Sequence, residues 1–292
     1  MILKTRKQKD YELLDAGEGL KLERYGDYTM IRPDPEALWH KGQDKDIWNK
    51  ADLEFVRKGN RTHWINNSNV PNNWNISFGN FTFQVSPSSF KHTGLFPEQL
   101  PNWKWMESII EKNIPIYKRP ITVLNLFAYT GGATLACARA GVEVCHVDGS
   151  KTAVAWARQN ATLSNLADAP IRWIVDDVTL FLKREIKRGR KYDAIIMDPP
   201  SFGHGPKDEL WKIEEHFLEL MRLCKEILTD TPLFVLINGY TAGYSPIAYE
   251  NNLKDMMLGH DGNIEIGELV IEQSDSDKLL PCGIFARWER KN

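Results

Sequence analysis

The sequence predicts an α/β protein: an open, seven-stranded sheet with its last strand antiparallel, preceded by a small β-rich domain. From Ile121 onward, apolar runs rich in β-branched residues alternate with segments of helical periodicity. The last two apolar runs, 264–272 and 283–288, are separated only by the polar loop 273–281, which is too short for a helix. The seventh strand should therefore turn back beside the sixth.

Residues 91–292 contain the predicted sheet. Its strands are expected at 121–127, 142–147, 171–175, 192–197, 233–238, 264–272 and 283–288. Its helices are expected at 132–140, 151–164, 178–188, 208–229 and 246–258. Strands separated by helices form a parallel, Rossmann-like sheet with right-handed crossovers.

Residues 1–90 differ in texture from the rest of the chain and predict a small β-rich domain, which is a candidate for binding the substrate. Gly26-Asp27 and Gly79-Asn80 are hairpin signals. The paired strands are 20–25 with 28–31, and 74–78 with 81–85. Between the hairpins, Asp46–Val56 has helical spacing, with Trp48, Leu53 and Phe55 available for one face.

Composition narrows the class of protein. Hydrophobic content of 42% and charged content of 26% are ordinary for a globular chain, and there is no apolar run of membrane-spanning length. The N-terminus lacks the apolar core of a secretory signal, and the four cysteines show no zinc-binding spacing. A reduced, cytoplasmic location is expected, with no metal.

The net charge of −2 means that any nucleic-acid surface must be a local patch. Segment 183–191, KREIKRGRK, is the densest basic run. Basic side chains at the solvated end of a helix, where the helix dipole favours them, explain the same run without any partner.

The stretch from Ile121 to Asp148 predicts a nucleoside site. It reads as strand, glycine turn, helix and strand, and ligands of open α/β sheets bind beyond the carboxyl ends of the strands. The dinucleotide fingerprint G-x-G-x-x-G is absent, because Tyr129 and Thr130 precede Gly131 in the turn. A bulky turn suits a nucleoside without phosphates, such as the adenosine of S-adenosylmethionine.

Acidic residues follow successive predicted strands. Asp148 ends the second strand and can accept hydrogen bonds from a ribose diol. Asp176 and Asp177 end the third, where one can accept from the adenine amino group while Val178 packs on the ring. The alternative is that such an aspartate caps the next helix.

The fourth strand ends in Asp198-Pro199-Pro200-Ser201-Phe202. Because prolines lack a backbone donor, the Asp198 and Pro199 carbonyls are expected to face outward as acceptors beside the Asp198 carboxylate. An aromatic ring at Phe202 can stack on a flat substrate. These groups suit a planar nitrogen heterocycle or an amide, and Gly203-His204-Gly205 predicts a mobile loop that closes on it.

At these residues the chain resembles the class I S-adenosylmethionine-dependent methyltransferases. Asn125–Gly132 is similar to motif I, Asp148-Gly149-Ser150 to motif II, Asp176–Val178 to motif III and Asp198–Phe202 to motif IV. The resemblance covers residues 121–289 and implies S-adenosylmethionine as cofactor. The cofactor-binding residues it implies in these motifs are Phe127, Tyr129, Thr130, Gly131, Asp148, Ser150, Asp176, Asp177, Val178 and Asp198.

Segment Phe90–Gln99 resembles the stretch before motif I in ribosomal RNA large-subunit methyltransferases that make 5-methylcytosine or 7-methylguanosine. In that group the stretch helps to enclose the cofactor, which adds Lys91, Thr93 and Gln99 to the implied cofactor site. A β-rich RNA-binding module precedes it there. This resemblance therefore implies ribosomal RNA as the partner.

The chain departs from the 5-methylcytosine enzymes in its cysteines. Those enzymes attack the base with a cysteine after strand five or in motif IV, where this chain has Asn238-Gly239-Tyr240 and Ser201. Cys282 is the remaining exposed-loop candidate. The sequence therefore favours methylation of a nucleobase nitrogen, in which Asp198 and Pro199 orient the base and Phe202 stacks on it.

Two other functions remain open at this point. The same motif serves a methyltransferase that acts on a protein amide or a small heterocycle. A non-catalytic RNA-binding factor on the same fold would also keep much of the pattern. The oligomeric state is left undetermined.

Overall fold

The structure, a computed structural model, describes residues 1–59, 61–88 and 91–291. They form two compact units. The first contains residues 1–3, 101–268 and 283–291, and the second contains residues 4–100 and 269–282. The N-terminal tripeptide is thus grouped with the later part of the chain.

The described strands are β1 (Ile2–Thr5), β2 (Tyr11–Gly17), β3 (Leu20–Tyr25), β4 (Tyr28–Pro33), β5 (Leu53–Lys58), β6 (Arg61–Asn66), β7 (Trp74–Phe78), β8 (Phe81–Val85), β9 (Thr122–Leu126), β10 (Glu143–Asp148), β11 (Ile171–Val175), β12 (Ala194–Met197), β13 (Phe202–His204), β14 (Leu210–Lys212), β15 (Phe234–Gly239), β16 (Gly262–Glu272) and β17 (Leu279–Arg290). The described helices are α1 (Lys45–Asn49), α2 (Leu100–Asn113), α3 (Gly132–Arg139), α4 (Lys151–Leu163), α5 (Val178–Lys187), α6 (Ile213–Ile227) and α7 (Pro246–Met256).

The large sheet has the order β1-β16-β17-β15-β12-β9-β10-β11. Strands β15, β12, β9, β10 and β11 are parallel, and β17 runs antiparallel to β15. The predicted α/β sheet with an antiparallel last strand is confirmed, and β1 adds an eighth strand at one edge. Because β9, β10, β11 and β12 are parallel, their carboxyl ends point in the same direction. The predicted site residues that follow these strands therefore lie along one end of the sheet.

Strands β12 and β15 lie in the middle of the sheet, and their side chains are buried on both faces. All four residues of β12, Ala-Ile-Ile-Met, are buried, as are all six of β15. Helices α5, α6 and α7 cover one face, and their apolar side chains join the strands in one buried cluster. This packing fixes the strand ends, and so fixes the backbone of the site.

The second unit contains a five-stranded sheet of order β2-β3-β4-β5-β6 and the separate hairpin β7-β8. Both hairpins predicted from Gly-Asp and Gly-Asn are present. A buried ion pair crosses the sheet, where the Arg32 guanidinium donates to Glu23 from Nε at 2.8 Å. The hydroxyl of Tyr11 donates to the same carboxylate at 2.9 Å.

Two helix predictions are wrong. The helix expected over 46–56 ends at Asn49, and Leu53–Lys58 is a strand in which Leu53 and Phe55 are buried on alternate positions. The helix expected from 208 begins at Ile213, because β13 and β14 form an antiparallel hairpin before it. That hairpin also replaces the mobile loop predicted at 203–205.

In the described ranges, no helix is long and apolar enough to cross a membrane.

Candidate active site

The turn between β9 and α3 has an unusual backbone. Phe127, Tyr129 and Gly131 have positive φ angles of 54°, 46° and 88°. Only glycine adopts this region without strain, so the two aromatic residues are held there by their surroundings. The Phe127 ring packs on the Trp211 ring, with centroids 5.0 Å apart. The centroid of the Tyr129 ring lies 6.3 Å from that of Trp156.

The Asp148 carboxylate is tied to this turn. Its Oδ2 accepts the Tyr129 N–H at 2.8 Å, and its Oδ1 accepts the Ser150 N–H at 2.8 Å. In dinucleotide sites, backbone N–H groups of the corresponding turn bind phosphates. In this turn, the Tyr129 N–H instead donates to the Asp148 carboxylate. Each oxygen keeps a lone pair for a hydroxyl donor. Burial raises the pKa of Asp148, and the two backbone donors oppose that rise.

Two glycines give the turn its close packing. A β-carbon at Gly131 would lie 3.0 Å from the Ala157 Cβ on α4. A β-carbon at Gly132 would lie 2.2 Å from the Trp103 ring on α2, which is closer than any real contact. Trp103 is a residue that sequence reasoning missed as part of the site, because nothing local links it to the turn.

A buried polar network supports the turn from below. The Thr130 carbonyl accepts from Asn160 Nδ2 at 2.9 Å. Thr134 Oγ1 accepts from Asn125 Nδ2 at 2.9 Å and lies 2.9 Å from His146 Nδ1. A hydroxyl can accept two hydrogen bonds or accept one and donate one, so the donor in the contact between Thr134 and His146 depends on the ring tautomer. Burial lowers the pKa of His146 to about 3, so the ring is neutral.

The acids after β11 have local partners. Asp177 is the N-cap of α5, where its Oδ1 accepts the Leu180 N–H at 2.8 Å. Asp176 forms an ion pair with Arg184. Val178 is buried in the first turn of α5. Asp177 thus caps the following helix, which is the alternative role considered from the sequence. Only its Oδ1 takes part in the cap, so Oδ2 can accept from an adenine amino group.

The segment after β12 is anchored at both ends. Asp198 is half-buried, Pro199 is buried, and the Asp198 N–H lies 3.4 Å from the Leu126 carbonyl of β9. The Pro200 carbonyl accepts from the Trp211 indole at 2.7 Å. Trp211 therefore links the proline turn to Phe127 in the glycine turn.

The β13–β14 hairpin stands over this edge of the sheet. Phe202 is 56% exposed and packs edge-on against His204, with ring centroids 5.2 Å apart. A β-carbon at Gly149 would lie 3.5 Å from the Gly205 Cα, so the hairpin tip adjoins the Asp148 turn. Phe202 thus presents an open aromatic face near two of the strand ends.

The loops after β12 and β15 are joined by a hydrogen bond of 2.7 Å between Ser201 Oγ and Thr241 Oγ1. The Tyr249 ring occupies the space beside Gly239, where a β-carbon would lie 2.5 Å from the Tyr249 hydroxyl. That hydroxyl is buried without a hydrogen-bond partner in the described part of the chain. Burial, and secondarily Asp198 nearby, raises the pKa of Tyr249 to about 12. Sequence reasoning gave Tyr249 no role.

Three of the predicted cofactor residues, Lys91, Thr93 and Gln99, belong to the second unit. Thr93 and Gln99 are buried, and the Lys91 carbonyl accepts from Arg32 at 3.0 Å. Phe90, the first residue of the segment that carries this resemblance, lies outside the described residues. Their role toward a cofactor stays a prediction.

Cys282 is not in an exposed loop as expected, since it is half-buried within β17. Burial raises its pKa well above the usual range, with a further contribution from Glu98. A thiol that resists ionisation is a poor nucleophile. Among the described residues, no cluster of His, Cys, Asp and Glu has the arrangement of a metal site.

Comparison with known proteins identifies the family. A crystal structure of an S-adenosylmethionine-dependent methyltransferase from Agrobacterium tumefaciens superposes with a TM-score of 0.93. It is 38% identical, and the match covers all of this chain and 94% of that one. The chain belongs to the S-adenosylmethionine-dependent methyltransferases. The family, the fold and the enzyme class predicted from the sequence are therefore confirmed.

Other matches cover less of the chain. Residues 108–222 match the family model described as Conserved hypothetical protein 95. The chain is 30% identical over 164 residues to a ribosomal RNA large subunit methyltransferase K/L from Syntrophotalea carbinolica. It is 32% identical over 155 residues to a ribosomal RNA large subunit methyltransferase I from Aeromonas salmonicida. These matches cover 56% and 52% of this methyltransferase, but only 22% and 38% of the relatives.

The site residues fit the cofactor of the family. The Asp148 oxygens offer the acceptors that a ribose diol needs, and they already accept the N–H groups of Tyr129 and Ser150. Asp177 keeps one oxygen for an amino group. The resemblance from the sequence and the local geometry thus agree on a nucleoside without phosphates.

Proposed function

We propose that this methyltransferase transfers the methyl group of S-adenosylmethionine to a nitrogen of a nucleobase in ribosomal RNA. The observation that carries the proposal is the exposed ring of Phe202 beside Asp198-Pro199, over the edge that holds Asp148. An aromatic ring next to carbonyl and carboxylate acceptors is suited to an extruded base. The base stacks on the ring and donates its N–H groups to the acceptors. The curated relatives named as ribosomal RNA methyltransferases support this acceptor.

The residues have distinct roles in this proposal. Asp148 accepts from the ribose hydroxyls, Val178 packs on the adenine, and Asp177 accepts from its amino group. Asp198 and the Pro199 carbonyl hold the base by its N–H donors, and the Asp198 carboxylate is the alternative acceptor for the amino group of the cofactor. The sulfonium supplies an activated methyl group, so the chain mainly has to align the nucleophile with it.

The chemistry of Cys282 favours a nitrogen over carbon 5 of a pyrimidine. Attack on carbon 5 requires a thiolate to add to the base first. Burial and nearby carboxylates keep the Cys282 thiol protonated, and Ser201 stands in motif IV. A ring nitrogen has its own lone pair and needs no such adduct.

The decisive experiment is incubation of the full chain with methyl-labelled S-adenosylmethionine and either protein-free ribosomal RNA or a protein extract. Label is expected in RNA, at a base nitrogen identified by mass analysis of the released nucleosides. Label found only in protein would overturn the RNA acceptor and favour an amide. Label on carbon 5 of cytosine would overturn the nitrogen chemistry.

Two variants test the assigned roles. Asp148→Ala should weaken cofactor binding in calorimetry, whereas Asp198→Ala should abolish transfer while the protein stays folded. Asp168→Ala removes an exposed carboxylate outside the site and serves as the control. Undiminished transfer by Asp198→Ala would contradict its role.

A further inference from the structure

The basic run that the sequence singles out is largely neutralised in the structure. Lys183 lies 3.4 Å from Glu219, and Arg188 lies 2.9 Å from Glu185. Arg184 pairs with Asp176. Most cations at this end of α5 therefore already have carboxylate partners, as basic residues at a helix end often do. Segment 183–191 is a weak candidate for a nucleic-acid surface.

A different set of cations has no such partners. Arg57 and Lys58 end β5, and Arg61 begins β6. All three are exposed, and within the described ranges none of them forms an ion pair. The Nε of Arg57 donates only to the Gly59 carbonyl, at 3.2 Å. This end of the hairpin is a concentration of positive charge in a chain whose net charge is −2.

The strand register increases this concentration. Lys58 lies directly opposite Arg61, and Val56 lies opposite His63, which is also exposed. Directly opposed side chains point to the same face, so Lys58, Arg61 and His63 share one face of the hairpin, whereas Arg57, opposite Thr62, lies on the other face at the same end. Like charges directly opposite each other destabilise a strand pair. In the described part of the hairpin, Glu54 lies on this face but forms no ion pair with Lys58 or Arg61.

Strand β6 contributes little to the core of its unit. It is the edge strand of the five-stranded sheet, and five of its six residues are exposed. Trp64 is the exception, because its ring packs on Phe55 with centroids 5.2 Å apart. Apolar burial therefore does not explain the outer end of the hairpin. Charge on an edge strand also discourages aggregation, and the experiment below separates the two explanations.

We propose that the outer end of the β5–β6 hairpin, residues Arg57, Lys58 and Arg61, binds the phosphate backbone of the RNA substrate. This inference rests on the proposed function and assigns the substrate contact to a specific element of the second unit. Unpaired cations on an exposed hairpin attract phosphates independently of base sequence. Arg57 and Arg61 can each engage a phosphate through two donors.

The test measures binding of protein-free large-subunit ribosomal RNA by the full chain as a function of salt. The hairpin variant is Arg57→Gln/Lys58→Gln/Arg61→Gln. The control variant Lys183→Gln/Lys187→Gln/Lys191→Gln removes the same charge from exposed positions of the basic run. The hairpin variant should bind about 10- to 100-fold more weakly at about 0.1 M salt, with the slope of log K against log salt reduced by roughly 2 to 3. The control should change both much less.

Each outcome decides between the two proposals. Equal losses in both variants, or no loss in the hairpin variant while the wild type still methylates RNA, overturn the hairpin site and leave the proposed function standing. Failure of the wild type to bind or methylate RNA overturns both. S-adenosylmethionine binding in calorimetry should be unchanged in both variants, which confirms that they are folded.

Discussion

At the residue scale, the contrast between two buried tyrosines is informative. The Tyr192 hydroxyl donates to Glu185 at 2.7 Å, whereas the Tyr249 hydroxyl has no partner in the described chain. Removing a satisfied buried donor costs about 1–3 kcal/mol, but removing an unsatisfied one costs little or nothing. The two phenols lie in the same buried cluster, so each serves as a control for the other.

Tyr249→Phe should therefore leave the free energy of unfolding within about 0.5 kcal/mol of the wild type, or raise it. Tyr192→Phe should lower it by about 1–3 kcal/mol. Denaturant titration of both variants gives the comparison. A large loss in Tyr249→Phe would mean that its hydroxyl has a partner in solution, such as an ordered water.

His146 makes the protein sensitive to acid. Burial lowers its pKa to about 3, so between pH 6.5 and that value the unfolded state binds a proton that the native state does not. Stability from this group is fully present above about pH 6.5 and is lost as the pH falls, by about 1.4 kcal/mol per pH unit. Replacing it with a non-titrating residue removes this loss.

His146→Asn keeps a hydrogen-bonding atom near Thr134 and should flatten the pH dependence of unfolding between about pH 6 and 4. Burial also lowers the pKa of His92, to about 4, and that contribution should remain in the variant. Unfolding free energies of both proteins across this pH range provide the measurement. Parallel curves would contradict a neutral, buried His146.

At the element scale, the packing of α2 against the start of α3 depends on a glycine, Gly132, which has no side chain to clash with Trp103. Gly132→Ala would place a methyl group 2.2 Å from the Trp103 ring. The variant should be destabilised by about 1–3 kcal/mol through overpacking. In a Trp103→Leu background the same substitution should cost clearly less, because the ring is gone. Additive effects in this double-mutant cycle would refute the clash.

Elements were predictable from the sequence where one periodicity dominates. Continuous apolar runs identified β9, β10, β12 and β15, since only buried parallel strands read that way. The helix expected over 46–56 failed in its second half because Leu53 and Phe55 also fit alternating spacing, and pairing in the sheet makes that segment strand β5. The β13–β14 hairpin was missed because its short strands lie beside a strongly amphipathic helix.

The site was predictable only in part, for a similar reason. Asp148 and the glycine turn are recognisable because a strand, a glycine turn, a helix and a second strand that ends in an acid form a local sequence pattern. Trp103, Trp211 and Tyr249 reach the site from distant elements, and no local pattern reports such contacts. The unpaired charges on the β5–β6 hairpin were likewise invisible, because pairing depends on where carboxylates lie in space.

At the scale of the whole molecule, ligand binding should raise the stability of the folded chain. At a cofactor concentration of about 100 times Kd, the native state gains about 2.7 kcal/mol. For a chain of 292 residues this corresponds to a Tm increase of roughly 5 °C. Thermal unfolding with and without S-adenosylmethionine measures it.

Thermal unfolding with and without S-adenosylmethionine also distinguishes the predicted roles of Asp148 and Asp177. Asp148→Ala should remove most of the ligand-induced increase. Asp177→Ala should lower the Tm even without ligand, because it removes the N-cap of α5 at a cost of about 1 kcal/mol. If Asp177→Ala instead left the ligand-free Tm unchanged, the capping role would be wrong.

The bond from the Tyr129 N–H to Asp148 also constrains how this protein can evolve. Conversion to a phosphate-bearing cofactor would require removal of the carboxylate, a smaller residue for Tyr129 and a flexible backbone at Phe127. No single substitution does all three, and Asp148→Ala alone would leave the aromatic side chains in place. Intermediate variants would bind neither ligand well. Cofactor choice should therefore persist in descendants of this chain.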